Sequence, residues 1–459
     1  MRILLSGETG ENVLRNVLIL GGGISGLGAA KVLLERECRV SISDKNDIKD
    51  SGEKQRLLRA GAEFLIGSQT PALLEGKDTV IVSPVVPREN PVVAEALRRG
   101  IPVLSEIELA WRIAEAPILA VTGTNGKTTT TTLLGNMIRN AGIPCATAGN
   151  IGMSLSSEAE TVPGNGLIAA ELSSFQLEFI DQFRPKAAVI LNITPDHLER
   201  HHTMEAYAAA KARIFENMGP EESLLLNKED PWTAEFVKKA RAHVYYLSTE
   251  EELREGAYLS DGWLMLRLDG EELRLVRENE LAVQGHHNME DCLAAAFLAH
   301  QGGVPAEAIR KALREYRPLE HRLEFVRTLH GVSYYNDSKA TNTDAAVKAI
   351  GAFSSPVILI AGGHDKETPL EDFMAFVREH VSCLILIGAA AKRFYEAARR
   401  AGVRRIIMAD SMKDAVEKAA AEAKEGDSVL LSPACSSYDM YRAYTERGRD
   451  FKNIVHALQ

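Results

Sequence analysis

Short apolar runs recur along the chain, and each leads through a polar or glycine-rich turn into a segment whose apolar residues have helical spacing. In the first third, the runs NVLIL, RVSIS and TVIV alternate with helical segments such as GLGAAKVLLERE and PVVAEALRR. Runs of this length are too short to span a bilayer but suit the buried strands of a parallel sheet. The alternation therefore predicts βαβ units that form an open parallel sheet.

The same alternation restarts twice, and a chain of 459 residues is long for a single core. GLIAAELSS, AAVILNITPDH and ESLLLN follow in the middle, with a hairpin pattern around Asp269-Gly270, and PVILIAGG, CLILIGAA and DSVLLSPA follow in the last third. We predict an α/β protein with three domains over residues 1–107, 108–318 and 319–459, the second boundary lying at Pro318. The first is predicted to be Rossmann-like and the third a Rossmann-like, doubly wound sheet.

Charge and cysteine content restrict the partners. The net charge of −10 argues against binding to nucleic acids or anionic membranes, because both require a basic surface. The five cysteines are scattered and form no C-x-x-C pair, as expected for reduced thiols in the cytosol. The N-terminal MRILLSGETGENV has too short an apolar run for a signal peptide. We therefore expect a cytoplasmic protein with small-molecule partners.

A phosphate loop is predicted between the strand ILAV and the helix TTTTTLLGNMI. The segment Gly123–Thr128 lets backbone N–H groups surround an anion at a helix N-terminus. Lys127 would neutralise phosphate oxygens, and the Thr128 hydroxyl would bind Mg²⁺. The general pattern has a glycine where this chain has Val121, so the match is to the shorter G-x-x-G-K-T. The alternative is a glycine-rich turn without a ligand. With the loop, the central domain is predicted to be of the P-loop ATPase type.

A second glycine motif, Gly21–Gly26, follows the strand NVLIL, and Asp44 ends the next strand. This arrangement is typical of a site for a diphosphate-containing nucleotide, with Asp44 near a ribose or a base. NAD binding and a glycine-rich packing turn are the alternatives. Nothing further along the chain resembles hydride-transfer machinery.

Polar residues follow several other predicted strands. Glu171 ends one, where a carboxylate is well placed to hold Mg²⁺. Asp196 and His197 follow another, and His197 and His201 have the spacing of a zinc pair. No H-E-x-x-H arrangement accompanies them, so a place for His197 near Mg²⁺ is the other hypothesis. A solvated or capping role remains open for Glu171.

The last third contains three further polar segments. In NDSKATNTDAA, Asp337, Lys339 and Thr341 are candidates for nucleotide contacts, or for a simple polar loop with a helix cap. AGGHDK offers Lys366 to a carboxylate or phosphate, or is a surface turn. Cys435 in SPACSSYD is a nucleophile candidate, but no histidine or aspartate has a suggestive spacing, and a small buried cysteine is the commoner case.

The motifs occur in the order found in the Mur ligases: GTNGKTT, GNIG, ELSSFQLE, NITPDHLERH, YAAAKARIFEN, HHN, HRLE, NDSKATN, GGHDK and SPACSSYD. The resemblance runs from residue 17 to residue 455, and ELSSFQLE, NDSKATN with GGHDK, and SPACSSYD resemble the members that add D-glutamate. It implies an N-terminal UDP site, a central ATPase and a mobile C-terminal domain. Folylpolyglutamate synthases share the short phosphate loop, so a sister ligase is an alternative.

The resemblance also implies the reaction: an ATP-dependent ligase, acting as a monomer with ATP and two Mg²⁺ ions, joins UDP-N-acetylmuramoyl-L-alanine and D-glutamate through an acyl phosphate. A Rossmann oxidoreductase and a non-catalytic nucleotide-binding regulator are further alternatives. Two positions depart from the family pattern. Family members frequently have Ser-Pro-Gly after the strand that reads VIVSP here, and this chain has Val85 in place of that glycine. Family members frequently have HNxxN, and this chain has Asp291 in place of the second asparagine.

The resemblance also implies a role for each site residue. The implied catalytic residues are Lys127, His197 and Lys211. The implied ATP contacts are Gly123, Thr124, Asn125, Gly126, Lys127, Thr128, Thr129, Asn288, Arg322, Asp337 and Lys339. The implied UDP-substrate contacts are Ile24, Ser25, Asp44, Asn150 and His197. The implied D-glutamate contacts are Thr341, Lys366, Ser437 and Tyr444. The implied ligands of one Mg²⁺ are Thr128 and Glu171, and those of the second are His197 and Lys211, the lysine being carbamylated.

Overall fold

The structure is a computed structural model. It describes residues 14–46, 48, 52–281, 286–317, 320–353, 355–364 and 368–459. The predicted boundary at Pro318 and the candidate Lys366 lie outside these residues. Among the described helices, none combines the length and the apolar composition that a membrane span requires.

The N-terminal part is a parallel sheet of order β3-β2-β1-β4-β5, as the alternating pattern predicts. Side chains of β1 and β4 are almost entirely buried because helices cover both faces, which explains their uninterrupted apolar runs. Its strands are β1 Asn16–Leu20, β2 Arg39–Asp44, β3 Glu63–Ile66, β4 Thr79–Val82 and β5 Val103–Ser105. Its helices are α1 Ile24–Leu34, α2 Gly52–Arg59, α3 Pro91–Arg98 and α4 Glu106–Ile113.

The central part is a mixed sheet of order β14-β13-β12-β11-β10-β9-β6-β8-β7. Its strands are β6 Ile118–Thr122, β7 Cys145–Gly149, β8 Leu167–Glu171, β9 Ala187–Ile190, β10 Ser223–Asn227, β11 His243–Ser248, β12 Gly256–Ser260, β13 Trp263–Leu268 and β14 Glu271–Arg277. The helices in this stretch of the chain are α5 Lys127–Asn140, α6 Leu155–Ala159, α7 Ser174–Leu177, α8 Leu198–His201, α9 Met204–Ala212, α10 Thr233–Lys239, α11 His286–Gln301 and α12 Ala306–Glu315.

The predicted hairpin is confirmed. Strands β13 and β14 pair antiparallel around Asp269 and Gly270, which have φ angles of 51° and 82°. Positive φ at both turn residues matches the twist of the flanking strands and favours an Asp-Gly pair. The hairpin forms one edge of the central sheet, and the phosphate loop follows β6, near the opposite edge.

The C-terminal part has the order β15-β16-β20-β17-β18-β19, parallel except for the antiparallel β15. One apolar cluster on each face covers the sheet, so it is doubly wound, as predicted. Its strands are β15 Glu324–Leu329, β16 Val332–Asn336, β17 Val357–Gly362, β18 Val381–Ile387, β19 Ile406–Met408 and β20 Ser428–Leu431. Its helices are α13 Thr343–Gly351, α14 Glu371–His380, α15 Ala391–Ala401, α16 Met412–Glu422 and α17 Tyr444–Ala457.

The chain clusters into two compact units. The first contains the N-terminal and central sheets. The second contains the C-terminal sheet together with Thr194–Met204 and the histidines at 286 and 287. The segment Thr194–Met204 therefore belongs to a different unit from the strands that precede and follow it in the chain. Three sheets agree with the predicted three-domain architecture, and the boundaries at 107 and 318 stay predictions.

Candidate active site

The phosphate loop lies at the carboxyl end of the buried strand β6. Gly123 and Gly126 have φ angles of 146° and 87°, which favour glycine. A Cβ atom on Gly126 would lie 2.1 Å from Oδ1 of Asp291, so no side chain fits there. Gly126 is the N-cap of α5, and the helix begins at Lys127. The loop thus presents backbone N–H groups at a helix N-terminus, where an anion is stabilised.

The Lys127 ammonium lies over this loop. Its Nζ donates hydrogen bonds to the backbone oxygens of Gly123, at 2.9 Å, and Thr124, at 2.7 Å. Both acceptors are backbone carbonyl oxygens of the loop itself. The arrangement supplies a cation beside the N–H groups that a phosphate would contact.

Asn192 fixes the same loop from the neighbouring strand. Its Oδ1 accepts from the Asn125 backbone N–H at 2.9 Å, its Nδ2 donates to the Asn125 oxygen at 3.2 Å, and its backbone oxygen accepts from Thr124 at 2.8 Å. The sequence analysis missed this residue. The available signal was its position just after β9, which lies beside β6 in the parallel sheet.

Lys211 meets the loop from α9. Its side chain is 2% exposed, and its Nζ donates to the Gly123 oxygen at 2.7 Å. The ammonium also lies 4.7 Å from the ring centroid of Tyr207, one helical turn away, and the Tyr207 hydroxyl is 3.2 Å from Oγ1 of Thr124. The structure therefore brings the predicted Lys211 to the phosphate loop. Tyr207 was missed because its role depends on tertiary contacts.

Glu171 and Asn150 form one hydrogen-bonded unit at the ends of adjacent strands. Nδ2 of Asn150 donates to Oε1 of Glu171 at 2.9 Å, and the Asn150 backbone N–H donates to the Glu171 oxygen at 2.8 Å. Oε2 of Glu171 is buried and has no hydrogen-bond partner in the part of the chain that the structure describes. A buried carboxylate oxygen in this state fits a hard cation such as Mg²⁺. Strand β8 pairs with β6, Glu171 lying opposite Val121 just before the phosphate loop.

In the second unit, His197 has a left-handed backbone with φ 53° and ψ 32°. Such a conformation is uncommon for a residue with a side chain and often marks a functional turn. Nε2 of His197 lies 3.6 Å from Oδ2 of Asp196, which also accepts from Nδ2 of Asn342 at 3.2 Å. The Asp196 carboxylate therefore joins the turn at His197 to the N-cap of α13.

The zinc hypothesis for His197 and His201 finds no support among the described residues. Among the described residues, the side chains close enough together to share a metal ion are those of Glu320, His321 and Glu324. Lys452 lies 2.7 Å from an oxygen of each of those glutamates, so its ammonium already compensates part of their charge.

Asp337 and Lys339 follow β16. Asp337 is buried, and its carboxylate accepts from the Ser432 hydroxyl at 2.8 Å and from the Leu323 N–H at 3.2 Å. Burial raises the pKa of Asp337 to about 7, against the lowering effect of these hydrogen bonds and of Arg322. Nζ of Lys339 lies 4.1 Å from the ring centroid of Tyr444, a cation–π contact.

The candidates for D-glutamate binding lie in the same part of this unit. Thr341 directly precedes the α13 N-cap, and Tyr444 is the first residue of α17. Ser437 is buried, and its backbone oxygen accepts from the N–H groups of Met440 and Tyr441. Lys366 is outside the described residues.

Cys435 is 1% exposed, so a substrate could not reach its thiol in this conformation. This burial disfavours the nucleophile hypothesis and agrees with the commoner case of a small core cysteine.

The N-terminal glycine loop is braced by Asp44. Its carboxylate accepts from the backbone N–H groups of Gly22, at 2.7 Å, and Asn46, at 3.0 Å. Ile24, at the start of α1, is 63% exposed, and Ser25 follows it in the first turn. An exposed isoleucine beside free helix N–H groups suits a ligand with an aromatic base and a diphosphate. Val85, the first departure from the family pattern, is 79% exposed.

The remaining nucleotide candidates are placed as follows. Asn288 lies in the first turn of α11, and Arg322 lies close enough to Asp337 to lower its pKa. Asp291, the second departure, is 5% exposed, and its Oδ1 accepts from Oγ1 of Thr130 at 3.3 Å. A carboxylate thus adjoins the first turns of the phosphate-loop helix.

Family models match most of the chain. Residues 15–105 match the Mur ligase MurD-like N-terminal domain, residues 121–299 the Mur ligase middle domain, and residues 321–435 the Mur ligase glutamate ligase domain. The three matches follow one another in the order of the three sheets.

Two relatives align over nearly the whole chain. The UDP-N-acetylmuramoylalanine--D-glutamate ligase of Pelotomaculum thermopropionicum is 44% identical over 447 residues, covering 97% of this chain and 98% of that protein. The protein of the same name from Thermoanaerobacter pseudethanolicus is 43% identical over 450 residues, covering 97% and 99%. The solved structure of a pseudomurein peptide ligase type C from Methanothermus fervidus superposes with a TM-score of 0.62 at 18% identity, covering 97% of this chain and 100% of that chain. That likeness shows the fold alone.

Proposed function

The chain belongs to the Mur ligase family, and from this membership we propose its substrates and the roles of its site residues. It is an ATP-dependent ligase that adds D-glutamate to UDP-N-acetylmuramoyl-L-alanine during peptidoglycan precursor synthesis. The observation that carries this function is the similarity, over 97% of the chain, to ligases named for that reaction.

Activation of the substrate is the chemical problem, because a carboxylate cannot expel oxide. The alanyl carboxylate oxygen attacks the γ-phosphorus of ATP, the bond to ADP breaks, and an acyl phosphate forms. The neutral amine of D-glutamate then attacks the acyl carbon. The tetrahedral intermediate collapses with loss of inorganic phosphate and of the proton that the amine nitrogen carried. Phosphoryl transfer of this kind requires alignment and charge neutralisation rather than a protein nucleophile.

In this proposal the ATP phosphates bind to the loop 123–129, and the Lys127 ammonium neutralises their charge. Its Nζ already lies at the loop, where it donates to two backbone oxygens, and hydrogen bonds from an ammonium to phosphate oxygens are strong because both partners are charged. Asn192 holds the loop through the Asn125 backbone before the nucleotide arrives, which lowers the entropic cost of binding.

Glu171 and Thr128 would hold one Mg²⁺, and His197 and Lys211 would contribute at a second. Such ions neutralise charge on the transferred phosphoryl group. The orphaned Oε2 of Glu171 supports the first site. An unmodified Lys211 ammonium would repel a cation, whereas a carbamate on its Nζ is an anionic ligand. We therefore include carbamylation in the proposal.

The other contacts are proposed by residue. Those to ATP are completed by Asn288, Arg322, Asp337 and Lys339. The UDP-substrate would contact Ile24, Ser25, Asp44, Asn150 and His197. D-Glutamate would contact Thr341, Lys366, Ser437 and Tyr444.

Water would hydrolyse the acyl phosphate, so we further propose that the C-terminal domain closes during turnover. The enzyme is proposed to act as a cytoplasmic monomer.

Phosphate release tests the assignment. Enzyme, ATP, Mg²⁺ and UDP-N-acetylmuramoyl-L-alanine are mixed with D-glutamate, L-glutamate, L-lysine or meso-diaminopimelate in parallel. We expect release with D-glutamate only. Release with another amino acid would assign a sister step of the family, and release with none would favour a folate-type acceptor or a regulatory protein.

A further inference from the structure

Arg447, in the first turn of α17, is a fully buried cation for which the proposed reaction assigns no role. Its side chain is 2% exposed. Nε donates to Oγ of Ser338 at 3.0 Å, and Nη2 donates to the backbone oxygens of Ser338, at 2.8 Å, and Cys435, at 3.0 Å. Nη1 donates to the backbone oxygen of Ser436 at 3.1 Å. All four acceptor oxygens are uncharged.

Burying a guanidinium among uncharged acceptors costs free energy, because the charge loses its hydration without gaining a carboxylate partner. Among the described residues, none provides a carboxylate within ion-pairing distance of Arg447. Burial lowers its pKa to about 10, while Asp439 and Asp337 act in the opposite direction from farther away. The guanidinium remains charged at neutral pH, so the folded protein contains a buried cation at this position.

The hydrogen bonds of Arg447 join two loops. One loop, residues 336–342, begins at the last residue of β16, and the other, residues 433–438, follows β20, its parallel neighbour. The end of β17 packs on the same point: a Cβ atom on Gly363 would lie 2.4 Å from the Ser436 oxygen and 3.1 Å from Nη1 of Arg447. One guanidinium therefore joins the ends of two strands by hydrogen bonds and packs beside the end of a third.

Two residues proposed to bind D-glutamate lie in these loops, Thr341 in the first and Ser437 in the second. Ser437 directly follows Ser436, whose backbone oxygen Arg447 holds, and Thr341 lies three residues after Ser338. Oγ of Ser338 also donates to the backbone oxygen of Tyr444 at 2.8 Å, which extends the network to a third proposed contact.

We propose that Arg447 is a positioning residue for the amino-acid substrate: its buried guanidinium fastens the 336–342 loop to the 433–438 loop, so that both halves of the D-glutamate pocket keep their spacing. The inference rests on the proposed function. It predicts a larger effect on the KM for D-glutamate than on the KM of either other substrate. General destabilisation would not produce this difference, because loss of folded enzyme lowers kcat and leaves each KM unchanged.

The test is a set of steady-state measurements with each substrate varied in turn. In Arg447→Lys the charge is kept, but an ammonium has three N–H donors and lacks the planar fork of the guanidinium, so it cannot make all four hydrogen bonds. We expect the KM for D-glutamate to rise by about tenfold or more and the KM for the UDP-substrate to stay within about twofold. A smaller rise is expected for ATP, because its proposed contacts Asp337 and Lys339 lie in one of the two loops. In Arg447→Ala, added guanidinium ion should lower the KM for D-glutamate again.

Arg449→Met is the matched control. Arg449 lies on the same helix, but its side chain is 65% exposed, and its contact to Glu320 is 3.8 Å long. We expect all three KM values to be unchanged in this variant. Unchanged D-glutamate KM in Arg447→Lys, or an equal rise for all three substrates, would overturn the inference.

If the Arg447 variants do not fold, the same KM measurements are made on Ser338→Ala. It removes one acceptor of Arg447 and leaves the buried cation in place. A rise of about threefold in the KM for D-glutamate is expected, and an unchanged value would overturn the proposal. Failure of the proposed function can be distinguished from failure of this inference, because the wild-type enzyme would then show no turnover that depends on D-glutamate.

Discussion

The side-chain amide of Asn150 donates to Oε1 of Glu171 at 2.9 Å, and Oε2 of the same carboxylate is buried without a hydrogen-bond partner in the described part of the chain. The first residue follows β7 and the second ends β8, so the pairing of two parallel strands creates the contact. One carboxylate oxygen thus holds a proposed substrate contact, and the other is left for a cation.

Glu171→Gln tests the role of this carboxylate. The amide oxygen of glutamine can still accept from Asn150, but the negative charge is lost. We expect kcat to fall by about 10²-fold or more and the Mg²⁺ requirement to rise. The Tm should not fall, because an unpaired buried charge has been removed. Activity as a function of Mg²⁺ concentration, with thermal unfolding in parallel, measures both; the exposed Glu235→Gln is the control. Full activity in Glu171→Gln would rule out the cation site.

Lys127→Ala should abolish turnover and leave the fold intact. The Nζ donates to two loop carbonyl oxygens, and its charge is needed at the phosphates. We expect less than about a tenth of wild-type activity, with an unchanged circular dichroism spectrum. Lys238→Ala, an exposed lysine of the same domain, serves as the comparison. Retained activity above that level would contradict the phosphate-loop assignment.

Lys211→Ala tests the proposed carbamate. The buried amine is expected to become an anionic group, so its removal should reduce kcat by about 10²-fold or more. Acetate supplied in the buffer should restore part of the rate, because a small carboxylate can occupy the space of the carbamate. Lys211→Met, which fills the volume without an anion, should respond to acetate far less. Wild-type rates in Lys211→Ala would remove the carbamate from the account.

Glu106 makes stability depend on pH. Its side chain is buried, Oε1 accepts from the Ser156 N–H at 2.5 Å, and burial raises its pKa from 4.5 to about 7. The folded protein therefore holds a proton that the unfolded chain releases near pH 4.5. The free energy of unfolding should fall as pH rises from about 4.5 to about 7, by up to about 1.4 kcal/mol per pH unit for this group, and then level off.

Urea unfolding between pH 5 and pH 8 measures that dependence. In Glu106→Gln the slope should be smaller than in the wild type, with the remainder coming from groups such as Asp337, whose pKa burial also raises to about 7. An identical slope in the two proteins would show that Glu106 does not titrate in this range.

Local patterns were sufficient to predict most of the fold. The apolar runs became strands, the glycine loop became the N-terminus of α5, and Asp269-Gly270 became the turn of a hairpin. Each of these features depends on residues that are neighbours in the sequence, so the physical cause is visible in a short segment.

The site was less predictable where a role depends on distant contacts. Asn192 clamps a loop that lies 67 residues earlier in the chain, and Arg447 holds Ser338 across 109 residues. Neither residue type nor spacing indicates such a contact. Asp44 was predicted to face a ligand, but the structure also gives its carboxylate two backbone N–H partners that brace the glycine loop.

Oxygen-18 in the alanyl carboxylate of UDP-N-acetylmuramoyl-L-alanine tests the central claim most directly. The labelled substrate is converted with ATP, Mg²⁺ and D-glutamate, and the released phosphate is analysed by mass spectrometry. Activation through an acyl phosphate predicts that each inorganic phosphate carries one labelled oxygen, because the carboxylate oxygen that attacks phosphorus leaves with it. Unlabelled phosphate, or label in AMP, would contradict this account of the reaction.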